Sequence, residues 1–97
     1  MKKVMILGLC SQNCVIAGML DKQDDVSEII CADHNYKRVK TVCSSLKKGR
    51  AVDIDTSDYT QILHAAGGVD YIVSNLPAGA DSAAKKAASE INAAFVR

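Results

Sequence analysis

The sequence predicts an α/β fold, a doubly wound parallel sheet with helices on both faces. Three observations support this prediction: four short β-like runs recur along the chain, stretches with helical spacing of apolar residues separate them, and turn residues mark the breaks. Strands that are joined by helical crossovers run parallel, and such crossovers are right-handed. The most economical arrangement places four strands in the order 3-2-1-4.

The four predicted strands occupy residues 3–7, 28–32, 51–54 and 70–74. The helix after the first strand has an apolar stripe made of Val15, Ile16, Met19 and Leu20. The stripes of the second and third helices are Tyr36, Val39, Val42, Cys43 and Leu46, and Tyr59, Ile62, Leu63 and Ala66. The fourth helix is Ala-rich, with good propensity but few large residues to bury, and is predicted from about residue 81 to residue 95.

Length and composition indicate a single globular domain. The chain has 97 residues, of which 48% are hydrophobic and 24% charged, which is enough apolar material for one core. A second domain does not fit, so residues 1–97 are predicted to form one domain.

The charge balance argues against nucleic acid and membrane partners. The formal net charge is +1, so no long-range field exists to gather polyanions, and the basic cluster at residues 47–50 is interpreted as a surface turn. The first apolar run, residues 4–7, is too short for a signal peptide or a spanning helix. We therefore expect a cytoplasmic protein.

The cysteine and histidine residues form no recognisable catalytic or metal site in the sequence. The four cysteines contain no C-x-x-C pair, and we expect reduced thiols and no metal site. Cys10, at a predicted helix start, is either a space-filling residue or a reactive thiolate. His34 and His64 have no paired acid or thiol at a useful offset, so no catalytic residue is predicted.

The stretch "MILGLCSQNCVIAGML", residues 5–20, has the strand, tight turn and helix at which a dinucleotide fold holds the pyrophosphate. Such a turn carries three glycines, and only the first, Gly8, is present. Cys10 and Asn13 occupy the other two places, where a β-carbon would intrude on the diphosphate and an amide would enter a narrow helix–strand contact.

The helix N-terminus remains, and its N–H groups can still attract an anion, with Ser11 as a hydroxyl donor. We therefore expect binding of NAD or NADP that Cys10 and Asn13 weaken without abolishing it. The predicted phosphate turn comprises Gly8, Leu9, Cys10, Ser11, Gln12 and Asn13.

The second predicted strand ends at Asp33, close to where a dinucleotide fold has its ribose-binding acid. A carboxylate there accepts hydrogen bonds from both ribose hydroxyls and repels a 2′-phosphate, which favours NAD. His34, Lys37 and Arg38 follow closely and could accommodate that phosphate instead, so the choice between NAD and NADP stays open. Asp33 as a capping or loop carboxylate is the alternative to a ribose role.

The third predicted strand also ends at an acid, Asp55. It could border the adenine pocket, or it could be a solvated turn residue.

With these residues in view, the chain resembles the N-terminal nucleotide-binding domain of the saccharopine dehydrogenase family. The resemblance rests on "KKVMILGL", "VSEIICAD", "KKGRAVDIDTSD" and "GVDYIVSNLP", and it covers roughly residues 1–77. It implies a Rossmann-like fold and NAD(P)-dependent oxidoreduction of a secondary amine that links two amino acids.

The resemblance also implies roles for particular residues. The turn from Gly8 to Asn13 corresponds to the pyrophosphate loop and Asp33 to the ribose acid. Asn75, Leu76 and Pro77 correspond to the segment beside the nicotinamide. The family's substrate domain and catalytic side chains have no counterpart in these 97 residues, so we expect nucleotide binding without turnover.

The alternative is a module that acts without catalysis, either homo-oligomerising or nucleotide-sensing. A complete dinucleotide fold has two βαβαβ halves, so the chain is a half-fold, a piece of a longer protein, or a protomer that completes its sheet through a partner. The far edge of the fourth strand, residues 70–74, is predicted to lack a neighbour and to be the seam of a homodimer.

Overall fold

The computed structural model describes residues 2–9, 11–33, 35–76 and 81–96. Five strands lie within this part of the chain: β1 (Lys2–Leu7), β2 (Val26–Ala32), β3 (Gly49–Ala51), β4 (Tyr71–Ser74) and β5 (Ala94–Val96). Four helices connect them: α1 (Ser11–Asp21), α2 (Tyr36–Ser44), α3 (Tyr59–Ala65) and α4 (Ser82–Glu90).

The strands form one parallel sheet in the order β3-β2-β1-β4-β5. The predicted fold class and the predicted order of the first four strands are confirmed. The third strand, predicted at residues 51–54, instead covers Gly49–Ala51 and includes half of the basic cluster that was interpreted as a turn. Val52, the next residue, still donates its N–H to the carbonyl of Cys31 in β2 at 3.1 Å.

Helices cover both faces of the sheet, as predicted. Alternate residues of β1 point to opposite faces: Met5 packs in a core with α3 and α4, whereas Ile6 packs in a core with α1 and α2. This division follows from the strand order, because the chain moves from β1 out to β3 with α1 and α2 on one face. It then crosses back to β4 with α3 on the other face.

The predicted apolar stripe of α1 is only partly confirmed: Leu20 packs against the core and Ile16 is half-buried, but the other two members face solvent. Val15 and Met19 are 64% and 62% exposed, whereas Asn13 and Ala17 are buried against the sheet. The small side chain of Ala17, which is fully buried, faces the core, and the large side chains on the opposite side of the helix face solvent.

The predicted extent of the fourth helix is also wrong, since α4 ends at Glu90 and the chain enters β5 at Ala94. Asn92 has a φ of 58°, in the left-handed region, and its N–H donates to the carbonyl of Ser89 at 3.4 Å. The N–H of Ala93 donates to the carbonyl of Ala88 at 2.9 Å. These two bonds form a Schellman motif, which ends the helix.

The additional strand changes the predicted homodimer seam. The outer edge of β4 pairs with β5 over Tyr71–Ala94, Ile72–Phe95 and Val73–Val96, so the prediction that this edge lacks a neighbour is wrong. Homodimerisation itself stays a prediction. Within the described residues, no helix has the length and apolar character needed to cross a membrane.

Candidate functional site

The carboxyl ends of β1, β2 and β4 meet at the turn that follows β1. The N–H of Gly8 donates to the carbonyl of Ala32 at 3.0 Å, and the N–H of Asn75 donates to the carbonyl of Leu7 at 2.9 Å. The turn therefore lies between β2 and β4, where helices pass from one face of the sheet to the other. In open α/β sheets this switch point is where ligands bind.

Two features of the structure require glycine at position 8. Its φ is +82°, a conformation that L side chains rarely adopt, and a β-carbon there would lie 3.2 Å from the main-chain carbon and oxygen of Asn75. The first glycine of the predicted motif is thus required both by its backbone angle and by the close approach of β4.

Asn13, which replaces the third glycine, is buried beneath the turn with 3% of its surface exposed. Its Nδ2 donates to the carbonyl of Gly8 at 2.8 Å and lies 3.3 Å from the carbonyl of Leu7. The amide does enter the narrow helix–strand contact, but it has hydrogen-bond partners there. The expected loss of nucleotide affinity from Asn13 therefore has no support in this contact.

Asp33 is also at the turn. Its Oδ2 accepts a 2.6 Å hydrogen bond from the N–H of Leu9, and its Oδ1 accepts a 3.1 Å bond from the N–H of Asn35. The side chain is 4% exposed. The structure thus brings the carboxylate next to the turn but binds both of its oxygens to main-chain amides.

The polar backbone groups of Gly8 and Leu9 are all used within the protein. The carbonyl of Leu9 accepts a long, 3.4 Å bond from the guanidinium of Arg38, whose helix, α2, begins just after Asp33. Among the described residues of the turn, the amides left to face an anion are therefore those of the first turn of α1, which starts at Ser11, since a helix leaves its first N–H groups without intrahelical partners.

The other predicted site residues have different positions. Leu76 is buried beside the turn, and its N–H lies 3.4 Å from the hydroxyl of the buried Ser74, a contact that the sequence did not predict. Asp55 is exposed in the loop before α3, and hydrogen bonds from the hydroxyl and N–H of Ser57 lower the pKa of its carboxyl group. No contact between Asp55 and the phosphate turn is present among the described residues.

Three predicted site residues, Cys10, His34 and Pro77, lie outside the described residues. Ser11 and Gln12 are the first two residues of the α1 backbone.

The sequence analysis named Arg38 as a possible phosphate partner. Its contact with the Leu9 carbonyl depends on how α2 packs against the turn, and no pattern in the sequence predicts it.

The described cysteines belong to the core rather than to a site. Cys31 and Cys43 pack in the cluster shared with α1 and α2, and burial raises the pKa of the Cys31 thiol. Over the ranges that the structure describes, no three His, Cys, Asp or Glu side chains are grouped so that they could hold a metal ion.

Two surface hollows lie away from the turn. One, of about 370 Å³, lies between α1 and the outer part of the sheet, and its apolar lining includes Ile16, Leu20, Tyr71 and Val73. The other, of about 400 Å³, lies beside α3 and includes Arg50. Neither contributes to the candidate site.

A five-stranded parallel sheet with a glycine turn at its switch point defines a Rossmann-like domain. Among the solved structures, 35 chains match this one. One of them is apo histidine-tagged saccharopine dehydrogenase (L-Glu forming) from Saccharomyces cerevisiae, with a TM-score of 0.86 and 17% sequence identity.

The match covers 98% of this chain and 21% of the enzyme chain. The chain thus spans about a fifth of the length of that enzyme. At this level of identity the likeness concerns the fold. No protein-family model matches the chain, and a search of curated proteins finds no match.

Proposed function

We propose that this chain is the nucleotide-binding domain of an NAD(P)-dependent oxidoreductase similar to saccharopine dehydrogenase. The observation that carries the proposal is the position of the Gly8 turn, at the switch point of the sheet, in a chain whose fold matches a saccharopine dehydrogenase over 98% of its length. The chain supplies cofactor binding, and the chemistry requires residues that it does not contain.

The residues at the turn suit a dinucleotide. Gly8 allows the tight turn against Asn75 with a φ of +82°, and the first turn of α1 directs its N–H groups and the positive end of its dipole toward the outer side of this turn. In this proposal the diphosphate lies at the start of α1, the adenosine ribose lies beside Asp33, and the nicotinamide lies toward Asn75 and Leu76. The bound nicotinamide supplies hydride transfer.

NAD is the preferred cofactor in this proposal. The carboxylate of Asp33 lies close to the expected ribose position and disfavours the two negative charges of a 2′-phosphate. Its 4% exposure means that a ribose hydroxyl reaches it only through a small opening. Affinity should therefore depend more on the diphosphate than on the ribose.

Calorimetric titration of the purified chain with NAD, NADP and AMP tests the proposal. We expect NAD to bind more tightly than NADP, and AMP, which lacks the diphosphate bridge, to bind more weakly than both. Ser11→Glu puts a negative charge at the start of α1, where it favours the helix but repels a diphosphate, so NAD affinity should fall about tenfold or more.

The matched control is Met19→Glu, which adds the same charge on the exposed side of the same helix. Its NAD affinity should stay at the wild-type value. The proposal fails if the wild-type chain binds neither NAD nor NADP, or if the two glutamate variants bind NAD equally well.

A further inference from the structure

We propose that Asn13 is a positioning residue that sets the shape of the phosphate turn, in the place where the motif has its third glycine. This inference rests on the proposed function and concerns how the turn is held. It reverses the expectation from the sequence, in which Asn13 only obstructs the helix–strand contact.

The first argument is the direction of the carbonyl groups. Nδ2 of Asn13 donates to the Gly8 carbonyl at 2.8 Å, so this oxygen faces the helix that carries Asn13. The Leu7 oxygen, 3.3 Å from the same Nδ2, points into the sheet, where it accepts the N–H of Asn75. A carbonyl oxygen that turned toward the ligand would present a negative partial charge to the diphosphate. Holding these oxygens inward therefore favours an anion on the outer side of the turn.

The second argument is connectivity. The Leu7 carbonyl also accepts the N–H of Asn75, so the Asn13 amide and β4 contact the same oxygen. The N–H of Leu9 is held from the β2 side by Asp33. The turn is thus fixed by α1, β2 and β4 together, and Asn13 is the contribution of α1.

The third argument concerns the identity of the side chain. Asn13 lies on the buried side of α1 together with Ala17, and a glycine at position 13 would leave the Gly8 carbonyl without this buried donor. Serine has a hydroxyl donor on a shorter side chain and can replace part of the contact. The order of turn stability should therefore be Asn, then Ser, then Gly.

The test compares Asn13→Gly and Asn13→Ser with a matched control, Val15→Gly. Val15 is in the same helix and is exposed, so this control weakens α1 by a similar glycine effect without touching the turn. The main-chain amide resonances of Gly8, Leu9 and Asn75 are recorded without nucleotide. NAD affinity is measured by calorimetry well below the melting temperature of each variant.

We expect Asn13→Gly to shift these three resonances and to weaken NAD binding by roughly fivefold or more, the effect of one lost hydrogen bond. Asn13→Ser should lie between Asn13→Gly and the wild type, and Val15→Gly should change neither measurement. A purely structural role would lower the melting temperature of Asn13→Gly but leave the affinity of the folded chain unchanged.

The inference is overturned if Asn13→Gly leaves the turn resonances in place, or if it binds NAD as tightly as the wild type does. If Asn13→Gly does not fold, the same two outcomes for Asn13→Ser decide it. A wild-type chain that binds neither nucleotide contradicts the proposed function alone, because the amide resonances still test the effect of Asn13 on the turn.

Discussion

At the scale of single residues, the turn after β1 depends on three residues that the sequence singled out. Gly8, Asn13 and Asp33 were each selected by their spacing in a nucleotide-binding motif. In the structure, Asn13 and Asp33 both bond the main chain of the turn itself. Spacing predicted that these residues meet at one edge of the sheet, but it could not predict their hydrogen-bond partners, which depend on how α1 and β2 approach each other.

Alanine substitutions at two glycines should have opposite effects on stability. Gly8→Ala adds a β-carbon 3.2 Å from the Asn75 main chain at a φ of +82°, which should destabilise the chain by about 1–3 kcal/mol. Gly18 lies within α1 with no atom within 4 Å of an added β-carbon, so Gly18→Ala should stabilise by about 0.5–1 kcal/mol. Urea denaturation measures both, and equal stability of the two variants would contradict this account.

At the scale of elements, the sequence predicted the existence of the first four strands and four helices better than their ends and orientations. Asn35 caps α2, its side chain accepting the N–H of Arg38. Val15 and Met19 were assigned to the wrong side of α1, because apolar periodicity cannot tell which of two neighbouring stripes the sheet will cover. The end of α4 was missed although Asn92 was a visible signal, since asparagine tolerates the left-handed conformation.

Substitutions at Asn92 test the helix end. Asn92→Gly should stay within about 0.5 kcal/mol of the wild type, because glycine adopts the observed φ of 58° without strain. Asn92→Val should cost about 1–2 kcal/mol, since a β-branched residue is disfavoured in that conformation. Ser89→Val, on the exposed surface of α4, is the matched control and should cost only a few tenths of a kcal/mol. A similar loss in both valine variants, measured by thermal denaturation, would argue against the left-handed helix end.

At the scale of the whole molecule, the two faces of the sheet are covered unequally. The core under α3 and α4 includes residues of β1, β2 and β4, with Phe95 of β5 packed against it. On the other face α1 and α2 pack over β1 and β2, and a hollow of about 370 Å³ borders Tyr71 and Val73 of β4. Val96 of β5, in the lining of this hollow, is 45% exposed.

The pH dependence of unfolding should reflect one link between distant parts of the chain. The Asp21 carboxylate, at the end of α1, accepts the N–H groups of Lys47 at 3.0 Å and Lys48 at 2.8 Å, and these bonds lower the pKa of its carboxyl group. Because the pKa of this carboxyl group is lower in the folded state than in the unfolded state, the ionised group stabilises the fold at pH values above its unfolded-state pKa. This stabilisation is lost as the pH falls through the folded-state pKa of Asp21.

Urea denaturation between about pH 6 and pH 2 tests this link in the wild type and in Asp21→Asn. The variant should be less stable near neutral pH, and the difference between the two proteins should shrink as the medium becomes acidic. Asp24→Asn, a change at a nearby exposed carboxylate, serves as the control and should track the wild type. A difference between Asp21→Asn and the wild type that does not change with pH would refute the assignment.

The sequence by itself determined the alternation of strands and helices, the parallel order of the first four strands and the glycine at the end of β1. These features follow from local periodicity, from the handedness of crossovers and from the conformational freedom of one residue. Only the tertiary structure decided that β5 pairs with the outer edge of β4, that Ala17 rather than Val15 faces the sheet, and that Asn13 bonds to the turn. Each of these depends on which surfaces meet in three dimensions, and the packing of one element against another is not encoded in the spacing of either.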